Sequence, residues 1–263
     1  MKGKPRRALL LLLCLMASLC LGACSQNHSA AYDKAIKLFA NGEYAEAAEA
    51  FEKLGQYAQS ATYAAYSRGL VFYEQGQYAA AAPYFETCQD FMYGRERYSF
   101  CHAFALEEEG SYAEAAECFA AMEDFEDAEL HSQYCRARAA EENKDYATAL
   151  YAYEAAIPLN DSEERLYNLR GQVYNKAIAC RQEGDYESAI ILFTMLGDYL
   201  STADQAVVCK DEQRESQYIQ ADELAANGQL QEAYDLFSNL TGYRDAASRA
   251  EDLAGQLGID TDH

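Results

Sequence analysis

NGEYAEAAEAF, residues 41–51, returns as QGQYAAAAPYF at 75–85, EGSYAEAAECF at 109–119, NKDYATALYAY at 143–153, EGDYESAIILF at 183–193 and NGQLQEAYDLF at 227–237. The anchors are Tyr44, Tyr78, Tyr112, Tyr146, Tyr186 and Leu230, spaced 34, 34, 34, 40 and 44 residues apart. Three residues after each anchor stands Ala (Ala47, Ala81, Ala115, Ala149, Ala189, Ala233), and seven after stands Phe51, Phe85, Phe119, Tyr153, Phe193 or Phe237. Offsets of zero, three and seven share one face of an α-helix. Two residues before the anchor comes Gly, except for Lys144 in the fourth copy. Glycine ends a helix cheaply in the left-handed conformation, so each copy predicts helix, tight turn, helix.

The upstream half repeats as well. Nine residues before each anchor is a small residue (Ala35, Gly69, Ala103, Ala137, Ala177, Ala221), which lets the two helices approach closely. Twelve before is an aromatic: Tyr32, Tyr66, Phe100, Tyr134, Tyr174 or Tyr218. A second signature closes most copies: Leu54 to Tyr57, Met122 to Phe125, Leu196 to Tyr199 and Leu240 to Tyr243, with Pro158 marking the corresponding turn of the fourth. It predicts the turn between repeats, with the aromatic plugging the junction and Ser60, Asp127, Thr202 or Asp245 opening the next helix. The extra six and ten residues of the last two spacings fall between Ala156 and Val173 and between Leu196 and Tyr218, and predict longer first helices. Residues 243–256 predict a final capping helix.

Over roughly residues 29–246 this pattern resembles the tetratricopeptide repeat family, in which a hairpin carries a small residue in its first helix, a turn Gly, then Ala and a large aromatic in its second. The chain departs from the family in two ways. The first-helix aromatic is displaced by one position, and the usual aliphatic before the small residue is Lys34, Arg68, His102, Arg136, Lys176 or Gln220. The resemblance implies an all-α, right-handed solenoid of about six helix-turn-helix repeats over residues 30–256. Single hairpins of this kind bury their apolar faces only against neighbours, so the stack is expected to form one elongated core with no enclosed pocket.

Composition agrees. Forty-eight Ala against four Val and three Pro argue for helix over sheet, and 50% apolar residues argue against disorder. Forty-three Asp and Glu against 21 Lys and Arg give a formal charge of −22, which argues against a nucleic-acid binder, because phosphate affinity needs clustered cations. The amino end, MKGKPRRALLLLLCLMASLCLGAC, has a basic start, an apolar run from Ala8 to Leu21 and small residues before Cys24. The run is short for a membrane span and fits a secretory leader. Leu21-Gly-Ala-Cys24 resembles the lipobox of bacterial lipoproteins, which implies cleavage after residue 23 and palmitate-type acylation of Cys24. Residues 24–29 then form a short lipidated tether on the extracytoplasmic side of the membrane, and the charge of the mature chain becomes −26 through loss of Lys2, Lys4, Arg6 and Arg7. Residues 257–263 are expected to form a disordered tail.

The candidate ligand-binding residues are the aromatic column Tyr32, Tyr66, Phe100, Tyr134, Tyr174 and Tyr218. The family resemblance places this helix position in the concave groove where peptides lie, while the displaced register equally allows these rings to fill the core. Tyr63, Leu70, Tyr73, Phe104 and Ile178 are further groove candidates. The basic column Lys34, Arg68, His102, Arg136 and Lys176 reads as a salt-bridge ladder with Glu74, Glu108, Glu142 or Glu183, the alternative being a carboxylate-recognising row. Cys88, Cys101, Cys118, Cys135, Cys180 and Cys209 read as small core residues; His131 and Cys135 have chelate spacing but belong to no compact ligand cluster. No nucleophile elbow, zinc-helix motif or phosphate loop is present, so neither enzyme activity, metal nor other cofactor is expected. The function this points to is a membrane-anchored scaffold binding a protein or peptide in its groove. The alternative is a subunit of a cell-envelope assembly or secretion complex that uses its convex face or ends.

Overall fold

The structure, a computed structural model, describes residues 27–122 and 125–259. The leader and Cys24 lie outside the described residues, as do residues 260–263 of the expected tail. The described chain is helical, with no strand: α1 (27–40), α2 (Tyr44–Leu54), α3 (Ser60–Tyr73), α4 (Tyr78–Glu86), α5 (Gly94–Glu108), α6 (Tyr112–Ala120), α7 (Ala128–Glu142), α8 (Tyr146–Ala155), α9 (Ser162–Gln182), α10 (Tyr186–Met195), α11 (Thr202–Ala226), α12 (Leu230–Asn239) and α13 (Ala246–Leu257). Every second helix of a hairpin begins on its anchor residue. Helix α1 starts inside the expected tether, where the His28 ring packs edge-on against Tyr57 with centroids 5.6 Å apart. At the other end α13 reaches Leu257, one residue into the expected tail, and left-handed Gly258 closes it by donating its N–H to Ala254 O.

Two turn types alternate. In the first, Gly42, Gly76, Gly110, Gly184 and Gly228 have φ between 69° and 82°, and the next residue donates its N–H five residues back, as Glu43 does to Leu38 O and Asp185 to Cys180 O. Lys144 takes the same place at φ 59°. Asp145 and Asp185 then cap their helices, accepting from the N–H of Thr148 and Ser188. In the second type the turn residue, an aromatic except for Leu159, donates three residues back, as Tyr57 does to Leu54 O and Phe91 to Cys88 O, and the residue after it is left-handed. Ala58, Met92, Glu126, Asn160, Leu200 and Arg244 all have φ between 48° and 50°. Two residues later comes a small residue, buried in all six turns: Ser60, Gly94, Ala128, Ser162, Thr202 or Ala246. Gly94 is the tightest, since a Cβ there would meet Cys88 O at 2.1 Å.

The chain divides into two compact units, one ending at Asn143 and the other beginning at Lys144. Within each, helices pack on their sequence neighbours in the manner of a helical solenoid. First helices of 14 or 15 residues in α3, α5 and α7 become 21 in α9 and 25 in α11. The six and ten extra residues are taken up wholly as helix, as the sequence predicts. The repeated Ala and Phe of the second helices form the core: Ala47, Ala81, Ala115, Ala189 and Ala233 are fully buried, as are Phe51, Phe85, Phe119 and Phe193, with Phe237 at 1% exposure.

Candidate interaction surfaces

The aromatic column belongs to the core. Tyr66, Phe100, Tyr134 and Tyr218 are buried, with Phe100 at 0% exposure, and Tyr32 and Tyr174 are half-buried. Five of these rings meet the second-helix aromatic of their own hairpin edge-on: Tyr32–Phe51 at 5.6 Å, Tyr66–Phe85 at 5.5 Å, Phe100–Phe119 at 5.7 Å, Tyr174–Phe193 at 5.9 Å and Tyr218–Phe237 at 5.4 Å. The other edge meets the aromatic of the following turn, as in Tyr66–Phe91 at 5.3 Å and Phe100–Phe125 at 5.5 Å. The buried rings displaced by one position therefore fill the space their own hairpins enclose, the packing alternative of the two that the register allows. Of the further candidates, Leu70 and Tyr73 are buried, while Tyr63, Phe104 and Ile178 are half-buried.

Hydroxyls of the column are tied inward. Arg97 Nε donates to Tyr66 Oη at 3.2 Å, and Tyr218 Oη donates to Asp245, which raises the Tyr218 phenol above its ordinary value. Arg97 and Arg249 each stand 31 residues beyond the tyrosine they contact, and His131 stands at the same offset from Phe100, their ring centroids 6.4 Å apart. His131 is buried against Phe104 and Phe119, with Nδ1 3.1 Å from Glu107 Oε2 and Nε2 3.6 Å from Asp127. Its neighbour Cys135 is fully buried, and burial raises its thiol pKa. Among the described residues no group of three or more His, Cys, Asp or Glu is placed to hold a metal ion.

Of the expected basic column, Arg68 makes an ion pair, with a carboxylate other than those expected. Arg68 grips Glu52 of the preceding second helix through both carboxylate oxygens at 2.8 and 3.0 Å, and holds that carboxyl below its ordinary range. Arg170 reaches Glu154 at 3.7 Å, again 16 residues back. Counting from the turn, Arg68, His102, Arg136, Arg170 and Lys210 share one position. Lys176, assigned to the column by counting from the anchor, lies instead over the Tyr146 ring at 4.9 Å.

What the sequence reading passed over is the exposed apolar set of the second unit. Tyr151 is 72% exposed, Tyr167 69%, Ile191 55% and Val207 57%. Tyr151 and Ile191 occupy the same second-helix position, five after the anchor, where other repeats carry Glu49, Pro83, Glu117 or Asp235. That contrast is visible once the repeats are aligned.

Residues 32–90 match the tetratricopeptide repeat. The span covers most of α1 and all of α2 to α4 with their turns, and the remaining hairpins carry the same Gly–anchor–Ala–aromatic frame. No curated protein matches the chain. Tetratricopeptide repeats generally mediate protein–protein contacts and are typically not enzymes.

Proposed function

We propose that the chain is a lipoprotein, acylated at Cys24 and held on the extracytoplasmic side of a bacterial cell membrane, where its hairpins dock a protein partner. The observation that carries the docking half is the hairpin stack whose first repeats match the tetratricopeptide repeat. The anchoring half is supported by the basic leader and Leu21-Gly-Ala-Cys24. None of the described helices is long and apolar enough to cross a membrane, and acyl chains contribute about 0.8 kcal/mol per buried CH₂ to surface attachment. Labelling with radioactive palmitate in a bacterial host should mark the full chain, and Cys24→Ser should abolish the label and release the protein from membranes. Label retained in that variant removes the lipobox reading.

The exposed Tyr151 and Ile191, on the outward side of second helices, favour the envelope-complex alternative, in which partners meet the second-helix face rather than a groove of first helices. A photo-cross-linking amino acid at residue 151 or 191 is expected to capture partner more efficiently than one at the exposed first-helix residues 136 and 176. The reverse order would restore the groove.

A further inference from the structure

We propose that the cleft between α8, α9 and the end of α10 is a docking site for a cationic amphipathic helix of the partner protein; this rests on the scaffold reading above. The cleft is open, about 660 Å³ in volume, and floored by Leu150, Tyr151, Met195, Leu196 and Tyr199. Nothing in the fold calls for an exposed ring at residue 151, since Glu49, Pro83 and Glu117 serve the same position in other hairpins. An apolar floor bordered by a ten-residue helix about 15 Å long suits a helix presenting apolar side chains at every third or fourth residue.

Charge selects the occupant. Among the described residues Asp198 on the cleft wall has no ion-pair partner, and Arg170, the cation that also lines the cleft, holds Glu154 only loosely at 3.7 Å, the Glu154 side chain being 66% exposed. Residues 144–263 carry 22 Asp and Glu against nine Lys and Arg. A second copy of this chain would bring the same carboxylates to the same cleft and be repelled. A helix with Lys or Arg flanking its apolar stripe gains at Asp198 and Glu154 and is steered inward by the field of the whole unit.

The test uses the full chain and a labelled 14-residue peptide of Leu and Lys in helical order, LKKLLKLLKKLLKL, read by fluorescence anisotropy. Saturable single-site binding that weakens with salt is expected. Tyr151→Ser and Asp198→Lys should each weaken it about tenfold, the loss typical of truncating an interfacial anchor. Tyr93→Ser, at an exposed ring of the other unit that has no place in the proposed surface, should change it less than twofold, and circular dichroism should show each variant folded. Two results overturn the proposal: variants that bind like the parent, or a Ser/Lys peptide lacking Leu that binds equally well, which is attraction to a polyanion alone. Concentration-dependent dimerisation abolished by Tyr151→Ser would assign the cleft to a second copy and also overturn it. Partner cross-links that persist in the two cleft variants would leave the scaffold reading standing and remove the cleft.

Discussion

At the scale of single residues, backbone conformation and hydroxyl pairing decide more than side-chain identity. Lys144 holds a left-handed conformation that glycine holds in the five equivalent turns. A side chain there costs about 1–2 kcal/mol relative to glycine, partly offset by glycine's greater freedom when unfolded. Lys144→Gly is therefore expected to raise stability by about 0.5–1 kcal/mol in urea titration. Ser60 and Ser162 bury hydroxyls that have no hydrogen-bond partner among the described residues, at a position where Ala128 and Ala246 serve. Ser60→Ala should stabilise by about 1 kcal/mol, and a loss of stability would mean the hydroxyl is satisfied after all. The anchor, Ala and Phe positions were legible because three residues on one helical face leave an unambiguous period. The aromatic column was not. Its displacement by one residue turns a ring by about 100° on the helix, and only the positions of Phe51, Phe85, Phe91 and their equivalents show that this direction is already occupied.

At the scale of elements, both turn types are legible in the sequence, except that the second leaves no such signature at Cys88 to Phe91 and only Pro158 marks it in the fourth copy. Cys88 to Phe91 and Ala156 to Leu159 make the same turn with the same hydrogen bonds. The long helices carry two frames. Counting back from the anchor serves Tyr174 and Ala177, counting forward from the turn serves Ser162 and Arg170, and six inserted residues rotate one frame against the other by about 240°. That rotation misassigned Lys176 to the basic column. Packing between neighbouring helices also localises damage. Phe119 is fully buried among Phe100, Phe104 and His131, and Phe119→Ala is expected to cost about 3–5 kcal/mol. Hydrogen exchange should show α5 to α7 losing protection while α12 and α13 keep theirs; uniform loss along the chain would contradict nearest-neighbour stacking.

At the scale of the whole molecule, buried thiols set an alkaline limit. Burial pushes Cys88 up to about 11 and Cys101 up to about 12, against about 8.5 in an unfolded chain. Above pH 8.5 the unfolded state thus holds fewer protons than the native one, and stability falls as pH rises. Each such thiol should cost about 1.4 kcal/mol per pH unit until its folded value is reached, and Cys101→Ala should flatten the decline measured by urea titration between pH 8.5 and 10.5. The lengthened first helices have a mechanical consequence. Helix α11 extends about 37 Å and its hairpin partner α12 about 15 Å, yet α11 packs on α10 as fully as on α12. It works as a splint laid over two hairpins, so a load applied along the chain at α11 is shared between its seams with α10 and α12 instead of falling on one turn.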